Sequence, residues 1–206
     1  MKEKFDMNLP NKITLTRILM IPVFVLIFFL DIPFAYGIAG IIFAVAAFTD
    51  FIDGKIARSR GLVTNLGKFL DPIADKVLVS TAMILMLAMG EFFIPFASSA
   101  QTMYVITVIC ICIIMARELI ISAFRQIAAA NGVIMAAEKL GKYKTACQDV
   151  SIFVIFLSAG ILEYSFKTAR VFAWIGIILF FLATVLTIVS AVSYVVKNKQ
   201  VLKDKQ

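Results

Sequence analysis

Hydrophobic residues occur in six long segments that are separated by short polar connections. Each segment approaches the length of about 20 apolar residues that a helix needs to cross a bilayer. Because hydrocarbon offers no partner for open backbone groups, each segment predicts a helix. The segments cover residues 13–30, 35–56, 71–89, 103–123, 145–162 and 171–196. The pattern predicts an all-α polytopic membrane protein with six transmembrane helices.

The composition supports this prediction. Of the 206 residues, 62% are hydrophobic and 16% are charged, whereas a soluble domain is about half apolar and about a quarter charged. The first apolar segment follows "MKEKFDMNLPNK" without a small-residue cleavage site, so we interpret it as a retained span. We expect a single membrane domain over residues 1–206, with a polar N-terminal segment at 1–12 and a basic tail at 197–206.

The basic residues predict the orientation, because they concentrate in alternate connections and such connections face the cytoplasm. Around the first segment are Lys2, Lys4, Lys12 and Arg17; after the second are Lys55, Arg58, Arg60 and Lys68; after the fourth are Arg125, Lys139, Lys142 and Lys144; after the sixth are Lys197, Lys199, Lys203 and Lys205. Both termini are therefore expected to be cytoplasmic. The net charge of +7 does not indicate nucleic-acid binding, because these residues punctuate spans and form no single stripe. We interpret the tail as a flank that contacts anionic lipid.

Four aspartates lie in "DFIDGKIARSRGLVTNLGKFLDPIADK", between two apolar segments. Asp50 and Asp53 are near the cytoplasmic end of the second segment, and Asp71 and Asp75 are at the cytoplasmic start of the third. Spacings of three and four place each pair on one helix face. Since the connection is short, the two helices should be antiparallel neighbours. The four carboxylates are therefore expected to converge just inside the membrane.

Four like charges at one place need positive partners. Salt bridges to the neighbouring Lys and Arg residues are one possibility. Hard divalent cations such as Mg²⁺ or Mn²⁺ are the other, since they select oxygen ligands. The chain has no histidine, which removes the usual zinc ligand. We favour metal, because acidic residues inside a membrane are usually functional. Gly54, Ala57 and Gly67 lie among the acids and permit either close helix approach or a ligand phosphate near the backbone.

These residues form the pattern Asp50-x2-Asp53-Gly54-x2-Ala57-Arg58-x8-Gly67-x3-Asp71-x3-Asp75. At every fixed position it resembles the signature of the CDP-alcohol phosphotransferase family. The resemblance implies a six-helix membrane enzyme, usually a homodimer, that transfers a phosphatidyl or similar group from a CDP-linked donor to an alcohol and releases CMP. It implies that Asp50, Asp53 and Asp71 bind two divalent cations, Mg²⁺ or Mn²⁺. It also implies that Asp75 is the base and a further metal ligand.

The same resemblance implies a donor site. Gly54, Ala57, Arg58 and Gly67 would lie near the donor phosphates, although Arg58 is also explained as a basic side chain that reaches from the membrane to water. The stretch "NLPNKITLTR" resembles the start of the family's first helix, which implies that Asn11, Thr14 and Arg17 lie beside the nucleotide donor. The alternative is structural: Asn11 caps the helix and Arg17 reaches for water.

A second group of basic residues points to the acceptor. Arg117 and Arg125 lie in "RELIISAFR", and Lys142 and Lys144 lie in "GKYKT". Cations so near an acidic metal site indicate an anionic substrate. The alternative is internal pairing of Arg117 with Glu118 or Asp149.

The two stretches that carry these cations resemble a bacterial branch of the family that uses CDP-diacylglycerol and glycerol 3-phosphate. That likeness implies that the four cations bind the acceptor's phosphate at the cytoplasmic face of the plasma membrane. A related enzyme that accepts inositol phosphate or phosphatidylglycerol remains an alternative. So does a cation transporter, which would instead place its acids near the midplane.

Overall fold

The structure is a computed structural model that describes residues 9–59, 65–130 and 139–198. Within these ranges the secondary structure is entirely helical, with no strand, and short turns connect the helices. The elements are α1 (Leu9–Phe28), α2 (Ala35–Ser59), α3 (Asn65–Ala88), a 3₁₀ segment (Gly90–Ser99), α4 (Ala100–Ala130), α5 (Lys139–Ile161) and α6 (Phe166–Lys197). The prediction of an all-α fold is confirmed. The division into one domain with two polar ends stays a prediction, and the tail from residue 199 lies outside the described residues.

The helices extend beyond the apolar segments of the sequence. α3 begins at Asn65, six residues before the predicted start, and α4 ends at Ala130, seven residues after the predicted end. Backbone hydrogen bonding does not stop where hydrophobicity stops, so hydropathy marks only the apolar part of each helix. As a result, several of the charged residues stand on helices and not in loops.

The 3₁₀ segment between α3 and α4 was not expected from the sequence. Its backbone is interrupted at Ala97, which has φ 51°. It buries Phe92, Phe93 and Phe96, and Phe92 lies 5.6 Å from Phe96 between ring centroids. The segment therefore adds to the apolar core.

Within the described ranges, four helical regions are long and apolar enough to cross a membrane: Asn11–Phe28, Gly90–Ala128, Leu140–Ile161 and Phe166–Lys197. The apolar part of α2, Ala35–Asp50, is shorter. α3 is not in this group, because its first half carries charged residues such as Asp71 and Asp75. The protein is thus membrane-embedded, and charged residues interrupt the apolar parts of α2 and α3.

Small residues allow α2 and α5 to approach closely. A Cβ atom on Gly160 of α5 would lie 2.6 Å from the backbone nitrogen of Gly37 on α2. One on Gly40 would lie 2.8 Å from Cβ of Phe156. Next to this contact, Phe24 of α1 packs against Phe156 with ring centroids 5.4 Å apart. This core fixes α1, α2 and α5 relative to one another.

In the part of the chain that the structure describes, two cavities lie at opposite ends of these helices. The larger, of about 1190 Å³, is lined by the C-terminal half of α2 and the N-terminal parts of α3 and α5. The smaller, of about 550 Å³, is lined by the other ends of the same helices and includes Asp31, Glu91 and Glu163.

Candidate active site

The larger cavity combines acidic, basic and apolar walls. Its charged lining residues are Asp50, Asp71, Asp75, Lys76, Arg117, Glu118, Arg125, Lys142, Lys144 and Asp149. An apolar wall comes from Phe43, Ala44, Ala47 and Phe48 of α2 together with Val150 and Phe153 of α5. A cavity of this kind suits a substrate with both a charged group and hydrocarbon.

Three of the four signature aspartates meet at this cavity. Asp50 comes from α2, and Asp71 and Asp75 come from α3. The side chain of Asp53 lies outside the described residues. The spacing argument thus places Asp50, Asp71 and Asp75 together as expected, and their roles as metal ligands and base stay predictions.

The α1 residues Asn11, Thr14 and Arg17 are buried, and Thr14 and Arg17 contact signature aspartates. Arg17 has no exposed surface, and its Nη1 lies 2.5 Å from Oδ1 of Asp50. Thr14 donates a hydrogen bond of 2.8 Å to Oδ1 of Asp71. None of the three belongs to the described lining of the cavity. Arg17 therefore does not reach for water. Instead, Arg17 and Thr14 of α1 contact Asp50 and Asp71 on the side away from the cavity.

The other residues of the predicted donor site are only partly described. Gly54, Ala57 and Arg58 lie within α2, but their side-chain surroundings are outside the described residues. Gly67 is buried near the start of α3. Their contact with a donor stays a prediction.

All four predicted acceptor-binding cations line the cavity. Lys142 is exposed, whereas Lys144 is buried and donates a hydrogen bond to Oε1 of Glu118. Arg117 donates from Nη1 to the same oxygen at 3.1 Å and from Nη2 to Ser190 at 2.9 Å. The internal pair of Arg117 with Glu118 therefore exists, and it does not remove Arg117 from the cavity wall.

Helix α6 contributes partners that were missed in the sequence. Tyr194 accepts a hydrogen bond of 3.2 Å from Nε of Arg125, and its ring centroid lies 5.3 Å from the guanidinium carbon. Ser190, one turn earlier, holds Arg117. With Thr184 and Thr187 they form a buried polar stripe along an otherwise apolar helix. That stripe was the available signal, because buried polar groups in a membrane helix need partners.

Lys76, which follows the predicted base Asp75, has a hydrogen-bond partner on α4. Lys76 donates to Oγ of Ser122 on α4, and Ser122 donates to the backbone oxygen of Glu118 at 2.5 Å. This chain of contacts connects α3 to α4 at the rim of the aspartate group.

Two polar atoms of the cavity wall are buried without a hydrogen-bond partner among the described residues: Nε of Arg117 and Oδ1 of Asp149. An unsatisfied buried group costs about 1–3 kcal/mol. A ligand or water that enters the cavity is able to pair with this donor and this acceptor.

Comparison with known proteins agrees with this geometry. Residues 7–189 match the CDP-alcohol phosphatidyltransferase family. The chain belongs to this family. The match spans all of α1 to α5 and most of α6, so it includes every residue that lines the cavity except Ser190 and Tyr194.

Relatives with a curated name include three from different bacteria. The proteins of Bacillus subtilis strain 168 and Rickettsia bellii are each 36% identical to this chain. The first alignment covers 95% of this chain and 97% of the relative, and the second covers 93% and 95%. The Escherichia coli K12 protein is 38% identical over 96% of this chain and 98% of its own length. All three are named CDP-diacylglycerol–glycerol-3-phosphate 3-phosphatidyltransferase.

Family members generally use a divalent metal, and the donor chemistry of this cavity fits one. Asp50, Asp71 and Asp75 offer carboxylate oxygens, which hard cations prefer. Within the described part of the chain, no three acidic or cysteine side chains form a ready metal-binding group. Asp53, the fourth signature residue, is outside that part. The residue types present therefore fit a divalent metal.

Proposed function

We propose that this chain transfers the phosphatidyl group from CDP-diacylglycerol to sn-glycerol 3-phosphate and yields phosphatidylglycerophosphate and CMP. One observation carries the proposal. A single cavity is lined by three signature aspartates, by all four cations of the predicted phosphate site and by an apolar wall. The names of the relatives support the same reaction.

The acidic side of the cavity performs the chemistry in this proposal. Asp50, Asp53, Asp71 and Asp75 would hold two divalent cations, Mg²⁺ or Mn²⁺. When bound, such cations stabilise charge on the attacking and leaving oxygens. Asp75 accepts the proton of the acceptor hydroxyl while that oxygen bonds to the phosphorus that carries the lipid. The bond from this phosphorus to the bridging oxygen breaks, and CMP leaves with that oxygen.

The basic side binds the acceptor. Arg117, Arg125, Lys142 and Lys144 bind its phosphate, since charge-assisted hydrogen bonds are the strongest available to a phosphate. On the donor side we assign Asn11, Thr14, Arg17, Gly54, Ala57, Arg58 and Gly67 to the surroundings of the cytidine diphosphate. The contacts of Thr14 and Arg17 with Asp71 and Asp50 support a role next to the aspartates.

The apolar wall explains how a lipid donor reaches this site. Phe48 and Val150 are exposed on the surface of the helices and also line the cavity. Acyl chains are therefore able to stay in the bilayer while the headgroup enters. We propose six spans with both termini and the cavity on the cytoplasmic side of a bacterial plasma membrane, and a homodimeric enzyme. The charges that line the larger cavity support this orientation.

An acceptor panel tests the proposal. The purified protein is incubated with labelled CDP-diacylglycerol and Mg²⁺, and with glycerol 3-phosphate, glycerol, inositol phosphate or phosphatidylglycerol. We expect a lipid product with glycerol 3-phosphate, none with glycerol because it lacks the phosphate, and none with any acceptor after EDTA. A product with inositol phosphate or phosphatidylglycerol alone would move the assignment to another branch of the family. Turnover that EDTA leaves intact would contradict the metal part of the proposal.

A further inference from the structure

Glu118 lies between two cations that come from different helices. Its Oε1 accepts a hydrogen bond from Nη1 of Arg117, which is on α4, at 3.1 Å. The same oxygen accepts a second hydrogen bond from Nζ of Lys144, which is on α5. All three residues line the larger cavity. Glu118 is not one of the signature acids, and it is the residue on which both cations meet.

The contact between Glu118 and Lys144 joins α4 to α5, two helices that otherwise make few contacts with each other. α5 packs mainly against α6 and α2, whereas α4 packs against α6 and the 3₁₀ segment. Close backbone approaches between α4 and α5 are scarce among the described residues. Lys144 has only 6% of its side chain exposed. A buried ammonium group needs an ionic partner, and Glu118 supplies it.

The contacts of Glu118 leave donors of both cations unused. Arg117 uses Nη1 for Glu118 and Nη2 for Ser190, while Nε–H is buried and has no hydrogen-bond partner in the described part of the chain. Lys144 has three N–H donors, and Glu118 accepts one of them. Glu118 therefore holds the guanidinium of Arg117 and the ammonium of Lys144 in place, and both groups keep N–H donors that a ligand is able to use.

The backbone under Glu118 is itself held. Ser122 lies one turn later on α4 and donates to the backbone oxygen of Glu118 at 2.5 Å. Ser122 also accepts a hydrogen bond from Lys76 of α3. Ser122 thus connects the backbone of α4 at Glu118 to α3, while the Glu118 carboxylate contacts Lys144 of α5.

We propose that Glu118 is a positioning residue that orients Arg117 and Lys144 toward the phosphate of the acceptor. The inference rests on the proposed function and adds a residue to it. Glu118 acts through the two cations and has no role in the attack on phosphorus. Its loss should therefore weaken the binding of glycerol 3-phosphate and leave the chemical step and the lipid donor largely unaffected.

The opposite effect is the main alternative. A carboxylate that merely occupies the place of the phosphate would compete with the substrate, so its neutralisation would tighten the binding of glycerol 3-phosphate. The direction of the change in KM distinguishes the two roles.

The test uses the full-length enzyme with Glu118→Gln, which keeps the shape of the side chain and removes its charge. We expect KM for glycerol 3-phosphate to rise about 10- to 100-fold, as the loss of a charged hydrogen bond gives. We expect kcat and KM for CDP-diacylglycerol to change much less. Glu91→Gln is the matched control, because Glu91 lies in the smaller cavity at the other ends of the helices. It should behave as the wild type.

A double mutant separates positioning from a general structural role. If Glu118 acts through Lys144, Glu118→Gln should raise KM by a smaller factor in a Lys144→Met background than in the wild type. An equal factor in both backgrounds overturns the proposal. Glu118→Asp keeps the charge on a shorter side chain and should also raise KM for glycerol 3-phosphate. This variant replaces Glu118→Gln in the test if the Gln variant does not fold.

The outcomes for the proposed function and for Glu118 are distinct. A wild type that makes no product from glycerol 3-phosphate overturns both. A wild type that is active, beside a Glu118→Gln enzyme with an unchanged or lower KM for glycerol 3-phosphate, overturns only the role of Glu118. A parallel rise in KM for both substrates, with a lower unfolding temperature, also overturns it.

Discussion

The guanidinium of Arg17 on α1 lies 2.5 Å from the carboxylate of Asp50 on α2, measured from Nη1 to Oδ1. The Arg17 side chain has no exposed surface, while that of Asp50 is 43% exposed and lines the cavity. Nε of Arg17 also donates to Thr49 at 3.4 Å. The ion pair therefore has a buried cationic end and an open acidic end. The ion pair holds Asp50 on the side that faces α1 and leaves the side that faces the cavity accessible.

Replacement of Arg17 by Met should lower stability, because it removes the cation that holds Asp50 against α1. A fully buried pair costs about 3–5 kcal/mol to break. Since Asp50 is partly exposed, we expect a smaller loss, about 1–3 kcal/mol in the free energy of unfolding. Chemical denaturation in detergent measures it. Arg170→Gln is the control, since Arg170 is exposed at the start of α6. Equal stability of the Arg17 and Arg170 variants would show that the pair contributes nothing.

Replacement of Asp75 by Asn should abolish transfer and leave donor binding largely intact. The amide keeps the size of the side chain but is unable to accept the hydroxyl proton. A lost general base lowers the rate about 10²- to 10⁴-fold. Labelled CDP-diacylglycerol serves both measurements, as a substrate for turnover and as a ligand for binding in detergent. Asp31→Asn, in the smaller cavity, should retain full activity. Turnover near the wild-type rate in the Asp75 variant would refute its role as base.

The sequence predicted the helices and the grouping of charges because both depend on local periodicity. Asp71 and Asp75 are one turn apart, which places them on one face without knowledge of any other helix. The positive-inside distribution of Lys and Arg similarly placed Arg125 and Lys144 in the same region as the aspartates. The structure shows all four at one cavity.

The sequence did not predict contacts across the bundle. Whether Arg17 reaches water or Asp50 depends on the rotation of α1 against α2, which hydropathy does not specify. The partnership of Tyr194 with Arg125 joins residues that are 69 positions apart. Residues 90–99 were expected to lie in a connection between two spans, because hydropathy does not distinguish a 3₁₀ segment from a loop.

Replacement of Gly160 by Ala should destabilise the bundle. The added Cβ would lie 2.6 Å from the backbone nitrogen of Gly37 and 2.9 Å from its Cα. Backbone atoms of α2 are unable to move aside as a side chain does, so α2 and α5 must separate. Overpacking of this kind costs about 1–3 kcal/mol. The unfolding temperature in detergent reports it. Gly90→Ala is the matched control, since nothing lies within 4 Å of the Cβ that it adds. A Gly160 variant as stable as the Gly90 variant would contradict the close approach of the two helices.

Replacement of Tyr194 by Phe should weaken the binding of glycerol 3-phosphate moderately. The variant keeps the buried ring, which lies 5.3 Å from the guanidinium carbon of Arg125, and loses the hydroxyl that accepts from Nε at 3.2 Å. We expect KM for glycerol 3-phosphate to rise about 2- to 10-fold, the range for one hydrogen bond. Tyr194→Leu should raise it further, because it also removes the cation–π contact. Tyr164→Phe, exposed between α5 and α6, provides the control. Because Arg125 contacts the acceptor and not the donor in the proposed site, KM for CDP-diacylglycerol should stay constant across this series. If KM for CDP-diacylglycerol changes and KM for glycerol 3-phosphate does not, Arg125 belongs to the donor site.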